Sequence, residues 1–163
     1  MAQESEDERG KRRHSRTLFD GVAGLYEQAR PGYPDGIVRF IASTAGLDAG
    51  ARVLEVGCGT GQFTEVLMRA GFALTAIDLG PSMVATARAR LGDEPVNFQV
   101  SSFEDFAAAD RSFDLVVSAA AFHWLDPDVK YAKAARLLRP GGWLAVLDGD
   151  ERYDEPFGTA LHE

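Results

Sequence analysis

The sequence predicts an α/β fold, a doubly wound parallel sheet with helices on both faces, and three observations carry that reading. Short apolar runs alternate with amphipathic segments from about Arg52 to Leu147. The first run, Val53-Leu54-Glu55-Val56, breaks into a glycine cluster, Gly57-Cys58-Gly59-Thr60-Gly61, and passes at once into helical spacing through Phe63, Val66, Leu67 and Ala70. The later runs end in polar or small residues, as strands do where a parallel sheet presents its carboxyl ends to a ligand. A length of 163 residues suits one domain with a real core.

Taken in order, residues 1–16 are charged throughout and read as a disordered tail. Leu18, Phe19, Val22, Tyr26 and Ala29 form one helical face that stops before Arg30-Pro31-Gly32-Tyr33-Pro34. A second helix runs from about Asp35 to the stop at Gly46, so residues 17–50 form a pair of helices ahead of the first strand. The core, 51–148, then follows. A helix covers Gln62–Ala70, a strand Ala73–Ile77 ends in Asp78, and a helix opens on Pro81 and runs to Leu91. A strand Val96–Val100 leads to Ser101 and Ser102; another, Phe113–Ser118, leads to a small-residue loop, Ala119 to Trp124. Asp126, as a cap before Pro127, starts a helix ending at Leu138, and Gly141-Gly142 turns into a last strand, Trp143–Leu147. Residues 149–163 are a short extension.

Composition removes several classes of function. A net charge of −8 opposes a nucleic-acid surface, which needs clustered Lys and Arg. The single cysteine, Cys58, allows no internal disulfide and reads as a small spacer in the glycine turn. With only His14, His123 and His162 beside it, no metal site is expected. No apolar run reaches a membrane span and no signal peptide precedes the core, so a cytoplasmic location and no membrane partner are expected.

The glycine turn admits three ligand readings. A P-loop needs Lys followed by Ser or Thr, a pair that occurs nowhere in the chain. A dinucleotide fingerprint needs a third glycine where Gln62 stands, and Glu55 would repel a pyrophosphate. A ligand with a cationic centre would instead favour that carboxylate, and S-adenosyl-L-methionine carries an ammonium and a sulfonium but no phosphate. Asp78, at the end of the next strand, can accept both hydroxyls of a ribose.

With these residues in place the chain resembles the class I S-adenosylmethionine-dependent methyltransferases, and within them the methyltransferase type 11 and trans-aconitate methyltransferase kind. The resemblance covers about Thr17 to Asp148: VLEVGCGTGQFT, AIDLGPSMVATAR, SFDLVVSAAAFHWLDP and LLRPGGWLAV occur in the family's order, behind an N-terminal lid, FDGVAGLYEQARPGYP. It implies a Rossmann-like sheet in the order 3-2-1-4-5. It also implies that Glu55, Gly57, Gly59 and Gly61 hold the methionine moiety, that Asp78 takes the ribose, and that Leu79 and Met83 flank the adenine. Where the family commonly has an acidic residue for the adenine amino group, this chain has Ser102 followed by Phe103. Ala119 and Phe122 would line the floor below the sulfonium, while Tyr26, Arg30 and Tyr33 would close over the site.

The implied reaction is methyl transfer to a small-molecule acceptor by in-line displacement, with Tyr33, Phe122, His123 and Trp124 on the acceptor side and His123 the candidate base. A non-catalytic cofactor-binding module and an NAD-binding oxidoreductase domain are the alternatives. Family members continue past the fifth strand with a helix and two further strands, sixth and seventh, whereas 16 residues follow Leu147 here. A fragment of a longer protein is therefore expected, or a homodimer that covers the apolar edge of the last strand.

Overall fold

The structure, a computed structural model, describes residues 32–148. The expected tail, the first lid helix with Tyr26 and Arg30, and the extension 149–163 lie outside the described residues.

Helix α1 (Asp35–Ala45) starts directly behind Pro34 and stops at Gly46, which takes the left-handed conformation at φ 61°. Five parallel strands follow: β1 (Arg52–Val56), β2 (Ala73–Asp78), β3 (Val96–Val100), β4 (Phe113–Ala119) and β5 (Leu138–Leu147). Their order across the sheet is β3-β2-β1-β4-β5, as expected. Between them run α2 (Gln62–Arg69), α3 (Pro81–Leu91) and α4 (Lys130–Leu137). The chain leaves β1 toward β2 on one side and returns as β4 on the other, so the crevice at the strands' carboxyl ends opens beside β1.

The two sheet faces bury different sides of β1. Leu54 and Val56 pack with Phe103, Phe113, Val116 and Leu137 on one face. Val53 packs with Phe63, Leu67, Leu115 and Val117 on the other, under α1 and α2. Strand alternation places Glu55 on the side of Val53, at a position where the pattern of the core calls for an apolar residue. Across the opposite, amino-terminal ends of the strands, Asp114 accepts the Arg52 backbone N–H at 2.7 Å and the Nε–H of Arg139, tying β1, β4 and β5 together.

Two elements differ from expectation. The last helix begins at Lys130, because Asp126 turns the chain first: its Oδ1 accepts the Asp128 N–H at 2.9 Å and caps that turn, not a helix. Strand β5 starts at Leu138, before the Gly-Gly pair, since Pro140-Gly141-Gly142 is absorbed as an irregularity where the pairing shifts between Phe113 and Leu115. The outer edge of β5 has no strand partner among the described residues, and Trp143 and Val146 on it are 47% and 43% exposed. Among the described residues no helix is long and apolar enough to cross a membrane.

Leu115 is fully buried between β1 and β5, whereas Phe40 on α1 is 70% exposed. Leu115→Ala should therefore cost about 2–5 kcal/mol in urea unfolding, and Phe40→Ala should leave the midpoint nearly unchanged.

Candidate functional site

The crevice at the carboxyl ends of β1, β2 and β4 is shaped by the turn after Val56. Gly57, Gly59 and Gly61 all have left-handed φ, at 77°, 53° and 85°, a conformation that glycine adopts without strain. The turn is fastened to β2: the N–H groups of Gly57 and Cys58 both donate to the Ile77 carbonyl, at 2.9 and 3.0 Å. The glycines serve different ends. A Cβ on Gly57 would lie 2.3 Å from Ala121 Cβ, and one on Gly61 would lie 3.1 Å from Ala87 Cα. A Cβ on Gly59 would meet nothing within 4 Å. The outer two glycines thus allow close packing, while the middle one faces open space.

Asp78 links this turn to the next helix. Its Oδ2 accepts the Gly59 N–H and its Oδ1 accepts the Gly80 N–H, both at 2.9 Å. The side chain is partly buried at the cleft end of β2.

Glu55 is the unusual group. It is 1% exposed, and Oε2 has no hydrogen-bond partner. Its carboxyl is pushed up to about 8, first by burial; the Thr64 hydroxyl pulls the other way, and the charge of Asp78 raises it further. That hydroxyl does not satisfy the carboxyl, since Thr64 Oγ1 is also buried without a partner. A buried carboxyl of this kind is stabilised by any cation brought to its open oxygen.

Glu55 lines a cleft together with Tyr33, Gly57, Gly59, Phe63 and Ala119. The Tyr33 ring leans on Phe63 with centroids 4.8 Å apart, so Tyr33 forms one wall. Five predicted residues, Tyr33, Glu55, Gly57, Gly59 and Ala119, therefore meet in one place, with Asp78 bonded to the Gly59 amide at its border.

Other predicted residues sit elsewhere. Phe103 is 2% exposed in the core, with Lys133 Nζ 5.5 Å from its ring, and Phe122 is 5% exposed in the same core cluster. Met83 is buried, and Leu79 is half-buried beyond Asp78. The Ser102 hydroxyl donates to Asp105 Oδ2 at 2.7 Å and accepts the Asp105 N–H at 3.0 Å, which closes a local turn. His123 and Trp124 have ring centroids 4.8 Å apart, tilted by 46°, on a 3-10 turn, Phe122–Trp124, beyond Ala121. Cys58 is buried against Ala76 and Val84, its thiol pushed well up by burial and then by Glu55 and Asp78, which fits a spacer.

Sequence reading missed Phe63 and Thr60 as lining residues, because Phe63 fits equally well as part of the helical core face. It also missed Ala121, whose contact with Gly57 was signalled by the run Ala119-Ala120-Ala121.

A family profile described as a methyltransferase domain matches residues 54–146. The chain is 35% identical over 136 residues to an uncharacterized methyltransferase of Mycobacterium bovis, an alignment covering 83% of this chain and 54% of the relative. It is 45% identical over 112 residues to the ubiquinone biosynthesis O-methyltransferase of Xanthomonas oryzae pv. oryzae, covering 66% and 47%. The chain thus spans about half the length of the curated relatives it matches. Among solved structures, the (4+2)-cyclase SpnF superposes with a TM-score of 0.66 at 26% identity, covering 79% of this chain and 57% of that one.

Gly57→Ala should destabilise the fold by several kcal/mol through its clash, whereas Gly59→Ala should cost only about 1–2 kcal/mol of left-handed strain, as read by chemical denaturation. Because Glu55 holds its proton more tightly folded than unfolded, its contribution is fully present below pH 4.5 and lost as pH rises to about 8. Thermal melts of the ligand-free protein should show that decline across the window, and Glu55→Gln should flatten it.

Proposed function

The chain belongs to the methyltransferase domain family, and we propose that it transfers a methyl group from S-adenosyl-L-methionine to a small-molecule acceptor. The observation that carries this reading is the buried Glu55 carboxyl with its unpartnered Oε2 at the edge of a cleft. The ligand's ammonium supplies the missing partner. Gly59 leaves room for its backbone-like end, and Asp78 stands at the end of β2, where the ribose hydroxyls would reach its carboxylate.

When bound, S-adenosyl-L-methionine supplies a methyl group activated by a neighbouring sulfonium. The chain's own part is alignment and exclusion of water. Glu55 fixes one end of the ligand and Asp78 the other, while Leu79 and Met83 border the adenine and Ser102 marks its far edge. Tyr33 walls the methionine side against Phe63, with Tyr26 and Arg30 of the preceding segment proposed to close it, Arg30 toward a carboxylate. The acceptor enters beside Ala119 and the His123-Trp124 pair. A relative that is an O-methyltransferase by name supports a small hydroxylated acceptor, and the net charge of −8 supports a non-nucleic-acid one.

A second reading, adenosyl binding without methyl transfer, is favoured by the structural likeness to a cyclase, since one fold hosts several chemistries. Labelled methyl transfer to a metabolite pool separates the two. NAD binding is disfavoured by Glu55 and by Gln62 in place of a glycine.

Titration calorimetry should show S-adenosylhomocysteine and S-adenosylmethionine binding and NAD failing to bind; NAD binding alone would reverse the assignment. Asp78→Ala should weaken adenosyl binding roughly ten- to a hundredfold, the scale of lost charge-assisted hydrogen bonds. A melt of the variant controls for the two backbone amides it orphans.

A further inference from the structure

The loop after β4 and the end of β5 carry a pair of side chains that the cofactor cleft does not use. His123 Nδ1 lies 3.5 Å from Asp148 Oδ1, and the two side chains are 46% and 65% exposed. We propose that Asp148 is a positioning residue: it holds His123 in the tautomer protonated on Nδ1, so that Nε2 is left as the base for an acceptor hydroxyl.

The backbone sets up this pairing. The Ala120 N–H donates to the Leu147 carbonyl at 2.7 Å, which pins the loop after β4 to the last residue of β5. Ala120 takes a left-handed φ of 54° to make that bond, a strained conformation for a residue with a Cβ. Next to it, Ala121 is pressed against Gly57 of the cofactor turn. Phe122 is 5% exposed and anchors the 3-10 turn, with Lys130 Nζ donating to its carbonyl at 3.3 Å. His123 is thus held on a fixed turn, with the Trp124 ring at 4.8 Å and Asp148 at its Nδ1. A carboxylate at Nδ1 favours a proton on that nitrogen, and the other ring nitrogen then carries the free lone pair.

The chemistry balances. As the acceptor oxygen forms its bond to the transferred methyl carbon, the carbon–sulfur bond breaks and its electron pair stays on sulfur. The hydroxyl proton passes to His123 Nε2, and Asp148 offsets the charge of the imidazolium. The inference rests on the methyltransferase reading for its acceptor, but the placement of the two side chains does not depend on it.

Long-range proton–nitrogen correlation of the imidazole in 15N-labelled protein, at a pH where His123 is neutral, tests the pair, with His123→Gln assigning the signal. The wild type should show His123 protonated on Nδ1. In Asp148→Asn the tautomer ratio should shift toward Nε2–H by up to about fivefold, the equivalent of about 1 kcal/mol for an exposed pair, and Asp148→Glu should restore it. Asp148 is largely exposed, so these variants keep the fold. Calorimetry with S-adenosylhomocysteine on the same samples should give one affinity for all of them. An identical tautomer ratio in the wild type and Asp148→Asn would overturn the proposal. Failure of the wild type to bind S-adenosylhomocysteine would instead remove the methyltransferase reading while leaving the tautomer result standing.

Discussion

A carboxyl group taken out of water without a partner destabilises a fold by an amount comparable to the loss of a good core contact. Glu55 is such a group in the central strand of the sheet, on the face shared with Val53 and Leu67. An apolar side chain there would pack without penalty. The features around it follow from that one choice. The turn after β1 passes through three left-handed glycines, of which Gly57 and Gly59 line the cleft and Gly61 packs on Ala87. Asp78 adds negative potential at the end of β2 and raises the proton affinity of Glu55 further. The cleft is thereby set up for a cation, and its two carboxyl groups argue against a phosphate.

Rigidity around the site comes from backbone pairing more than from side chains. The Ile77 carbonyl accepts two N–H groups of the glycine turn, and Asp78 clamps Gly59 to Gly80. On the other side, Ala120 is bonded to the end of β5 and Ala121 rests on Gly57. The loop after β4 and the glycine turn after β1 are therefore in direct contact. A change of volume at Gly57 or Ala121 moves both, as expected of packed interiors that do not deform gradually.

Much of this was legible in the sequence because it rests on local signals. Glycine spacing, Pro81 at a helix start and Gly46 at a helix end specify backbone conformation directly, and the strand order followed from alternation plus the family resemblance. The start of β5 was not legible: Pro140 and two glycines read as a turn, and only pairing with Phe113 shows that the strand passes through them. Asp126 was taken as a helix cap when it caps a turn, a distinction that depends on three residues of backbone rotation. Phe103 and Phe122 were placed at the ligand by the family resemblance alone, and their burial in the core cluster with Leu54 and Val116 had no signal in the linear sequence. The His123–Asp148 pair joins two strands' ends and leaves no trace in linear spacing.

The account stands on a neutral Glu55 that gives up its proton to meet a cation, and that exchange can be measured directly. S-adenosylhomocysteine is titrated into the protein at pH 7 in buffers of different ionisation enthalpy. With the ligand-free carboxyl at about 8, binding should release close to one proton, seen as an observed enthalpy that changes linearly with the buffer. The release should shrink above pH 9 and vanish in Glu55→Gln. Tight binding at pH 7 with an enthalpy independent of buffer would contradict the account.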